Sequence, residues 1–120
     1  MAKDIRLAMM KGKIHRATVT KADLHYEGSI TVDTALLKAA GILNHEMVDV
    51  LNITNGQRIT TYTIPGKAGE IQINGAAAHL FKRGHKVIIV AYCYMSEASA
   101  KKHKPKVVLV DGKNKPVKKK

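Results

Sequence analysis

The pair Gly28-Ser29 is the first place in this sequence where the residue types could do chemistry. A serine hydroxyl is a weak nucleophile until it is activated, and the nearest electrophile to Ser29 Oγ is the carbonyl carbon of the preceding residue. Attack on that carbonyl would convert the amide into an ester through a five-membered ring. Elimination from the ester would break the chain and leave dehydroalanine, which hydrolysis would convert into a pyruvoyl group. Glycine suits the position before the serine because it lacks a Cβ and tolerates a strained backbone.

The same dipeptide is common in ordinary turns, and a turn is the alternative interpretation. Other groups must therefore support the chemistry. Residues 11–20 are rich in β-branched types and lack helical periodicity, which predicts a strand. Side chains alternate along a strand, so one face would carry an ammonium group beside an imidazole. The residues of that face are Lys13, His15, Ala17 and Val19.

A strand and a helix follow the Gly-Ser pair and would act as scaffold. Residues 30–32 predict a short strand, and residues 34–40 predict a helix with Asp33 as N-cap and Gly41 just past its end. The buried face of this helix would consist of Leu36, Leu37 and Ala40.

A hairpin is predicted next. Two strand-like runs, residues 47–54 and 57–64, flank Asn55-Gly56, which is a strong hairpin signal. Arg58 and Tyr62 share a face of the second strand. An arginine there is commonly a solubilising charge, and a tyrosine is commonly a packed ring whose hydroxyl has a partner.

The rest of the chain alternates short strands with turns. The predicted elements are a turn at 65–69, a strand at 70–73, a capped helix start at 74–80 that begins with Asn74, a buried strand at 86–95 and an edge strand at 107–110, before the chain frays over residues 113–120. The helix start is rich in small residues, so its free N–H groups form a candidate anion site. Six or seven strands with two small helices predict a compact β-barrel or sandwich.

Length and composition predict one small domain. With 120 residues, no Trp and one Phe, the chain can build a single, mainly aliphatic core. The longest apolar run, residues 87–95, is about half of what a membrane span requires, and residues 1–10 lack the apolar stretch of a signal peptide. We therefore expect a cytoplasmic protein with no membrane partner. Cys93 is the only cysteine, and we interpret it as a buried, inert thiol.

The net charge of +12 is concentrated at one end of the chain. Residues 101–120 hold nine Lys and one Asp, a balance of +8, whereas residues 1–100 carry only +4. We interpret residues 1–100 as the folded domain and residues 101–120 as a solvated Lys-rich tail with at most one edge strand. The alternative is a basic β-barrel that binds nucleic acid through the tail. Against it, single-strand binders need stacking aromatics, and one Phe with four Tyr is a small supply.

Familiar catalytic motifs do not occur in the sequence. GxSxG, HExxH, P-loop and GxGxxG patterns are missing, which argues against the common hydrolase, zinc protease and nucleotide-binding classes. The six histidines show no i,i+4 pairing on a predicted helix, so we expect no metal site.

Several short segments, taken together and in this order, resemble the aspartate 1-decarboxylase family, the pyruvoyl enzymes that supply β-alanine for pantothenate synthesis. The segments are GKIHRATVT at 12–20, ADLHYEGS at 22–29, AAGI at 39–42, TNG at 54–56 with Arg58, Thr61-Tyr62, and NGAAA at 74–78. Each segment is weak by itself. Their common order in a chain of the right length makes the resemblance specific.

The resemblance implies a mainly β fold, a small double-psi β-barrel with two or three short helices, assembled as a homotetramer with active sites between subunits. It implies a lyase made as a self-processing zymogen, cut between Gly28 and Ser29 into a β chain, residues 1–28, and an α chain, residues 29–120. Ser29 would become the pyruvoyl cofactor, which forms a Schiff base with L-aspartate and releases CO2. The hydroxyl of Thr61 would assist the acyl shift.

The resemblance also implies the substrate site. Arg58 would grip the retained side-chain carboxylate of aspartate in a bidentate fork, with Lys13 as a second cation. Tyr62 would donate the proton to the carbanion. The residues that would line or shape the pocket are Asn74, Gly75, Ala76, His15 and Tyr26.

The sequence departs from the family pattern in three places: a leader at residues 1–8, a short segment at 65–70, and the Lys-rich tail. The resemblance also raises a further partner, an accessory maturation factor that docks at the C-terminus of some members to trigger cleavage. In this chain the C-terminus is the Lys-rich tail. A folded relative that never matures is the third interpretation, beside the enzyme and the nucleic-acid binder.

Overall fold

The computed structural model describes residues 4–117 of the chain. Within this range there are eight strands, two short α-helices and one 3₁₀ helix, so the mainly β fold predicted from the sequence is confirmed. The strands are β1 Leu7–Thr18, β2 Lys21–Asp23, β3 Ser29–Asp33, β4 Met47–Asn52, β5 Arg58–Gly66, β6 Ile71–Asn74, β7 Lys86–Met95 and β8 Lys106–Leu109. The helices are α1 Thr34–Ala40, the 3₁₀ helix Gly75–Leu80 and α2 Glu97–Ala100.

The strands are ordered β2-β6-β3-β5-β4-β7-β1-β8 in one mixed sheet. The pairs β1–β8, β2–β6 and β3–β5 are parallel, and the other pairs are antiparallel. A mixed sheet of this size, folded around one aliphatic core, is consistent with the small β-barrel that we expected. The largest fully buried side chains are Phe81, Ile14, Ile30, Leu36, Ile71, Ile73 and Ile89.

A β-bulge interrupts β1 and changes which side chains share a face. Arg16 has a left-handed backbone with φ of 66°, and the pairing of β1 with β7 shifts between His15 and Ala17. The extra residue reverses the alternation, because a bulge places two residues opposite one. Ala17 is therefore buried in the core with Ile14, and the expectation that it shares a face with Lys13 is wrong. The same holds for Val19, which is fully buried just after the strand.

Helix α1 forms as its local sequence predicts. The Asp33 carboxylate accepts a hydrogen bond of 2.8 Å from the N–H of Ala35, and Gly41 closes the helix in the left-handed conformation with φ of 70°. The buried residues are Leu36, Leu37 and Ala40, as expected. The second oxygen of Asp33 also accepts from the N–H of Gly69 at 2.7 Å, which ties the helix start to the loop before β6.

The hairpin of β4 and β5 is present, but β5 is longer than predicted. The strand continues through Pro65 and Gly66, which we had assigned to a turn, and the turn begins at Lys67. Pro65 has no N–H to donate. Because β4 pairs with β5 only as far as Tyr62, no ladder hydrogen bond to β4 is lost at the proline. Pro65 instead lies opposite Val32 of β3.

The folded domain extends further toward the C-terminus than expected. Strand β8 lies at the edge of the sheet, parallel to β1, and Val108 and Val110 enter the core. Asn114 is 1% exposed and its amide bonds the backbone of Thr18 and of Gly69. The prediction that the chain frays over residues 113–120 is therefore wrong for residues 113–117, and the last three lysines lie outside the described residues. None of the helices in the described range is long and apolar enough to cross a membrane.

Candidate active site

Ser29 is the first residue of β3 and is only 2% exposed. Its hydroxyl donates a hydrogen bond of 3.0 Å to the carbonyl oxygen of Glu27 and accepts one of 3.0 Å from Nδ2 of Asn74. The antiparallel pairing of β3 with β6 sets Asn74 directly opposite Ser29. The serine therefore has a defined rotamer next to the peptide bond that it would attack.

Gly75 supports the backbone of the candidate cleavage site. It has φ of +78°, and an added Cβ would lie 2.7 Å from Gly28 Cα, 2.8 Å from Gly28 N and 3.2 Å from the carbonyl oxygen of Tyr26. A side chain at Gly75 would thus overlap the chain before Ser29. Gly28 itself is exposed and has open space at its own Cβ position.

The segment after Asn74 differs from the helix start that we expected. It is a six-residue 3₁₀ helix, and the side chain of Asn74 makes no capping bond to it. The amide instead turns toward β3, because a buried asparagine must find its partners inside the protein. Gly75 is buried and Ala76 is exposed at the start of this helix.

Thr61 and Tyr62 lie on the strand beside β3. The parallel pairing of β3 with β5 begins with Ile30 opposite Thr63. Thr61 and Tyr62, just before Thr63, therefore lie at the same end of the sheet as the Gly28-Ser29 bond. Both are partly buried. The ring of Tyr62 packs at 60° to the ring of His45, with 6.4 Å between their centroids.

In the described part of the chain, the predicted cations are not among the hydrogen-bond partners of the Ser29 hydroxyl, which are Glu27 and Asn74. Arg58 is exposed at the start of β5, opposite Leu51, and Lys13 is partly buried on β1, which is separated from β3 by three strands in the sheet order. Within residues 4–117, no hydrogen bond joins either cation to Ser29. Tyr26 is 51% exposed in the loop before the cleavage site.

His15 lies two residues from Lys13 and is partly buried. Its Nδ1 atom is buried and has no hydrogen-bond partner. Burial lowers the pKa of His15 below the ordinary value of 6.5, and the positive charges of Lys13 and Arg16 lower it further. Burial and the two neighbouring cations thus all favour the neutral form of the imidazole over the charged form.

Two residues that hydrogen-bond to Asn74, namely Gln72 and Thr31, were not predicted as site residues. Nε2 of Gln72 donates to Oδ1 of Asn74 at 2.7 Å, and Nδ2 of Asn74 donates to Oγ1 of Thr31 at 3.0 Å. The signal that could have found them is their spacing: each lies two residues from Asn74 or Ser29, on the same face of an otherwise apolar strand.

Comparison with known proteins gives a consistent family. The family model described as aspartate decarboxylase matches residues 5–117, which include most of the Lys-rich tail. A protein of Maricaulis maris is 59% identical over 113 residues, which cover 92% of this chain and 93% of the relative. One of Carboxydothermus hydrogenoformans is 61% identical over 114 residues, which cover 93% and 90%. Both relatives are named aspartate 1-decarboxylase. This chain belongs to the aspartate decarboxylase family.

Proposed function

We propose that this protein is a pyruvoyl-dependent lyase that converts L-aspartate into β-alanine and CO2, after cutting itself between Gly28 and Ser29. The product is the precursor that pantothenate synthesis requires. The observation that carries the proposal is the buried hydroxyl of Ser29, fixed between Glu27 and Asn74 directly after a glycine, in a member of this family. Its burial and its two hydrogen bonds distinguish Ser29 from the exposed serine of an ordinary Gly-Ser turn.

Self-cleavage follows from the groups around Ser29. Oγ attacks the carbonyl carbon of Gly28, the hydroxyl proton passes to the departing amide nitrogen, and the amide becomes an ester. Loss of the Cα proton then expels the Gly28 carboxylate and leaves dehydroalanine, which water converts into the pyruvoyl group with release of ammonia. Asn74 would stabilise the charge that develops on Oγ, and the hydroxyl of Thr61 would stabilise the tetrahedral intermediate.

The surroundings of Ser29 fit a planar ketone group at this position. Gly75, which has no Cβ, lets the backbone of Gly28 pack directly against it, and Asn74 offers an N–H donor to residue 29. The pyruvoyl ketone would supply the electron sink that decarboxylation needs and that no side chain provides. Arg58 would bind and orient the side-chain carboxylate of aspartate, and the Tyr62 hydroxyl would hold the proton to be delivered.

We further propose that the active site is completed by neighbouring copies in a homotetramer. Within residues 4–117 the Ser29 hydroxyl has Glu27 and Asn74 as partners and neither Lys13 nor Arg58, which leaves a place for cations that a second chain would bring to the serine. An exposed apolar groove also supports association. Met47 and Tyr94 are 69% and 71% exposed, and together with Ala8, Glu46 and Tyr92 they line a groove of about 370 Å³.

Denaturing mass spectrometry tests the proposal. The purified wild-type chain should give two fragments split after Gly28, and the larger should lack a free amine because its first residue is a pyruvoyl group. The Ser29→Ala chain should stay intact and release no CO2 from aspartate. A wild-type chain that stays intact through prolonged warming would contradict self-processing, and cleavage of the Ser29→Ala chain would exclude Ser29 as the nucleophile.

A further inference from the structure

We propose that Gln72 and Thr31 are positioning residues that hold the Asn74 amide with its nitrogen toward Ser29, and thereby set the rate of self-cleavage. The inference rests on the proposed function, since it concerns the same Ser29 hydroxyl. Neither residue touches the reacting atoms, so both would act through Asn74.

The four side chains Ser29, Thr31, Gln72 and Asn74, which we call the polar quartet, sit on one face of two paired strands. In the antiparallel ladder of β3 and β6, Ser29 lies opposite Asn74 and Thr31 lies opposite Gln72. The intervening residues Ile30 and Ile73 point to the other face and are fully buried in the core. The quartet is therefore held by the register of the sheet rather than by a loop.

Asn74 is 0% exposed, so its amide must satisfy its hydrogen bonds within the quartet. Oδ1 accepts from Nε2 of Gln72 at 2.7 Å. Nδ2 donates to Ser29 Oγ and to Thr31 Oγ1, both at 3.0 Å. Two donors and one acceptor of the same amide are thus assigned to three different side chains.

The orientation of this amide matters because oxygen and nitrogen have nearly the same shape. The single proton of the Ser29 hydroxyl is donated to Glu27, so Oγ can only accept from Asn74. A reversed amide would place Oδ1 against the lone pairs of Oγ. Gln72, by donating to Oδ1, favours the orientation in which the nitrogen faces the serine, and Thr31 adds a second acceptor for that nitrogen.

The consequence lies in the first step of cleavage. As the Ser29 proton leaves, negative charge develops on Oγ, and an N–H donor already aimed at it stabilises that charge without reorganisation. An amide that rotates freely would offer this donor only part of the time. Gln72 and Thr31 therefore determine the fraction of time in which Nδ2 of Asn74 faces Oγ of Ser29.

The experiment follows cleavage of newly made full-length chain in cell-free synthesis, by denaturing mass spectrometry at set times. Gln72→Met and Thr31→Val remove the polar groups at similar volume, and each should slow cleavage about two- to tenfold. Gln72→Glu should slow it at neutral pH by more than about tenfold, because a carboxylate only accepts and would turn the Asn74 nitrogen away from Ser29. The matched controls are Gln57→Met, at the other glutamine, which is exposed, and Thr31→Ser, which keeps the hydroxyl. Both should cleave within about twofold of wild type.

A pH profile separates positioning from a general loss of structure. Once protonated, the carboxyl group introduced by Gln72→Glu can again donate to Asn74, so cleavage of this variant should recover as the pH falls through the pKa of that carboxyl. Lys21 of β2 is paired with residue 72, and Glu70 lies two residues before it in the chain, so both charged groups bear on the pKa of the introduced carboxyl. The wild-type and Gln72→Met chains should show no such recovery.

Cleavage of Gln72→Glu and Gln72→Met at the wild-type rate would overturn the inference, whereas an uncut wild-type chain would contradict the proposed function instead. The Ser29→Ala chain tests the positioning without cleavage. There a nuclear Overhauser effect should join a side-chain amide proton of Asn74 to Thr31. Gln72→Met should weaken this contact, whereas Gln57→Met should not. An unchanged contact would also overturn the inference.

Discussion

Nδ2 of Asn74 donates a hydrogen bond of 3.0 Å to Oγ of Ser29 across the β3–β6 ladder. An aspartate at position 74 would keep the shape of the side chain but could only accept hydrogen bonds, and its charge would oppose negative charge on Oγ. We expect Asn74→Asp to slow self-cleavage by about 100-fold, by analogy with the loss of one oxyanion donor.

The measurement is the fraction of cut chain over time, with Asn44→Asp as the matched control. Asn44 is exposed in the loop after α1, so the same change there should leave the cleavage rate at the wild-type value. Equal rates for Asn74→Asp and wild type would mean that the donor plays no part in the reaction.

Gly75→Ala tests the contact with the cleavage site. The new Cβ would lie 2.7 Å from Gly28 Cα, so the chain before Ser29 must move, and we expect cleavage to be slowed at least about tenfold. Gly56→Ala is a sharp control, since Gly56 also has a positive φ, +80°, but open space around its Cβ position. Backbone strain should cost each variant about 1 kcal/mol of stability. Only Gly75→Ala should be cleaved more slowly than the wild type. Similar cleavage in the two variants would refute a role for the contact.

The contrast between α1 and Asn74 indicates what the sequence could predict. The caps of α1 are local, since Asp33 bonds Ala35 and Gly41 bonds the last turn, and both were predicted correctly. Asn74 looked like another N-cap, but its side-chain nitrogen donates to Ser29 and Thr31, more than 40 positions away. No pattern within one window distinguishes the two cases, because the choice is made by the pairing of β3 with β6.

The same reason explains the two larger errors. Arg16 adopts a left-handed conformation that arginine rarely takes, and only the pairing of β1 with β7 imposes the bulge. The Lys-rich end was expected to be solvated because of its charge, yet Val108, Val110 and Asn114 bury their side chains. Removal of residues 101–120, a natural test for nucleic-acid binding, would therefore also remove an edge strand of the fold.

Arg58→Ala separates processing from substrate binding. Arg58 is exposed at the start of β5 and makes no hydrogen bond to Ser29 in residues 4–117, so we expect normal cleavage. Loss of a bidentate grip on the substrate carboxylate should raise the KM for aspartate about 100-fold. Arg83→Ala, which removes another exposed arginine, should leave KM unchanged. The assignment of Arg58 fails if the two variants have the same KM.

His15 should have a lowered pKa in the folded protein. Burial is the main cause and Lys13 and Arg16 add to it, so an NMR titration should give a value below 6.5, and Lys13→Ala should raise it more than Arg16→Ala does. The folded state then binds a proton less readily than the unfolded state. The contribution of His15 to stability is therefore complete above pH 6.5 and is lost as the pH falls below it. A titration midpoint at or above 6.5 would contradict this account.

Asn114 should stabilise the fold by joining the C-terminal segment to β1. Its amide accepts from the N–H of Thr18 at 2.7 Å and donates to the carbonyl oxygens of Thr18 and Gly69, both at 2.9 Å. Because Asn114 is buried, Asn114→Ala leaves these three backbone groups unpaired, and we expect a loss of about 2–4 kcal/mol in the free energy of unfolding. Urea unfolding in the Ser29→Ala background measures this loss on a single chain.

Asn114→Gly separates the hydrogen bonds from backbone strain, since Asn114 has φ of 62°. Glycine relieves the strain, worth about 1 kcal/mol, but restores none of the bonds, so it should recover only part of the loss. In the processed protein, residues 1–28 would be a separate chain that is held partly through Thr18. We therefore expect Asn114→Ala to release this fragment at a lower urea concentration than the exposed-site control Asn44→Ala does. Full recovery of stability by Asn114→Gly would show that strain, and not the three hydrogen bonds, determines the effect.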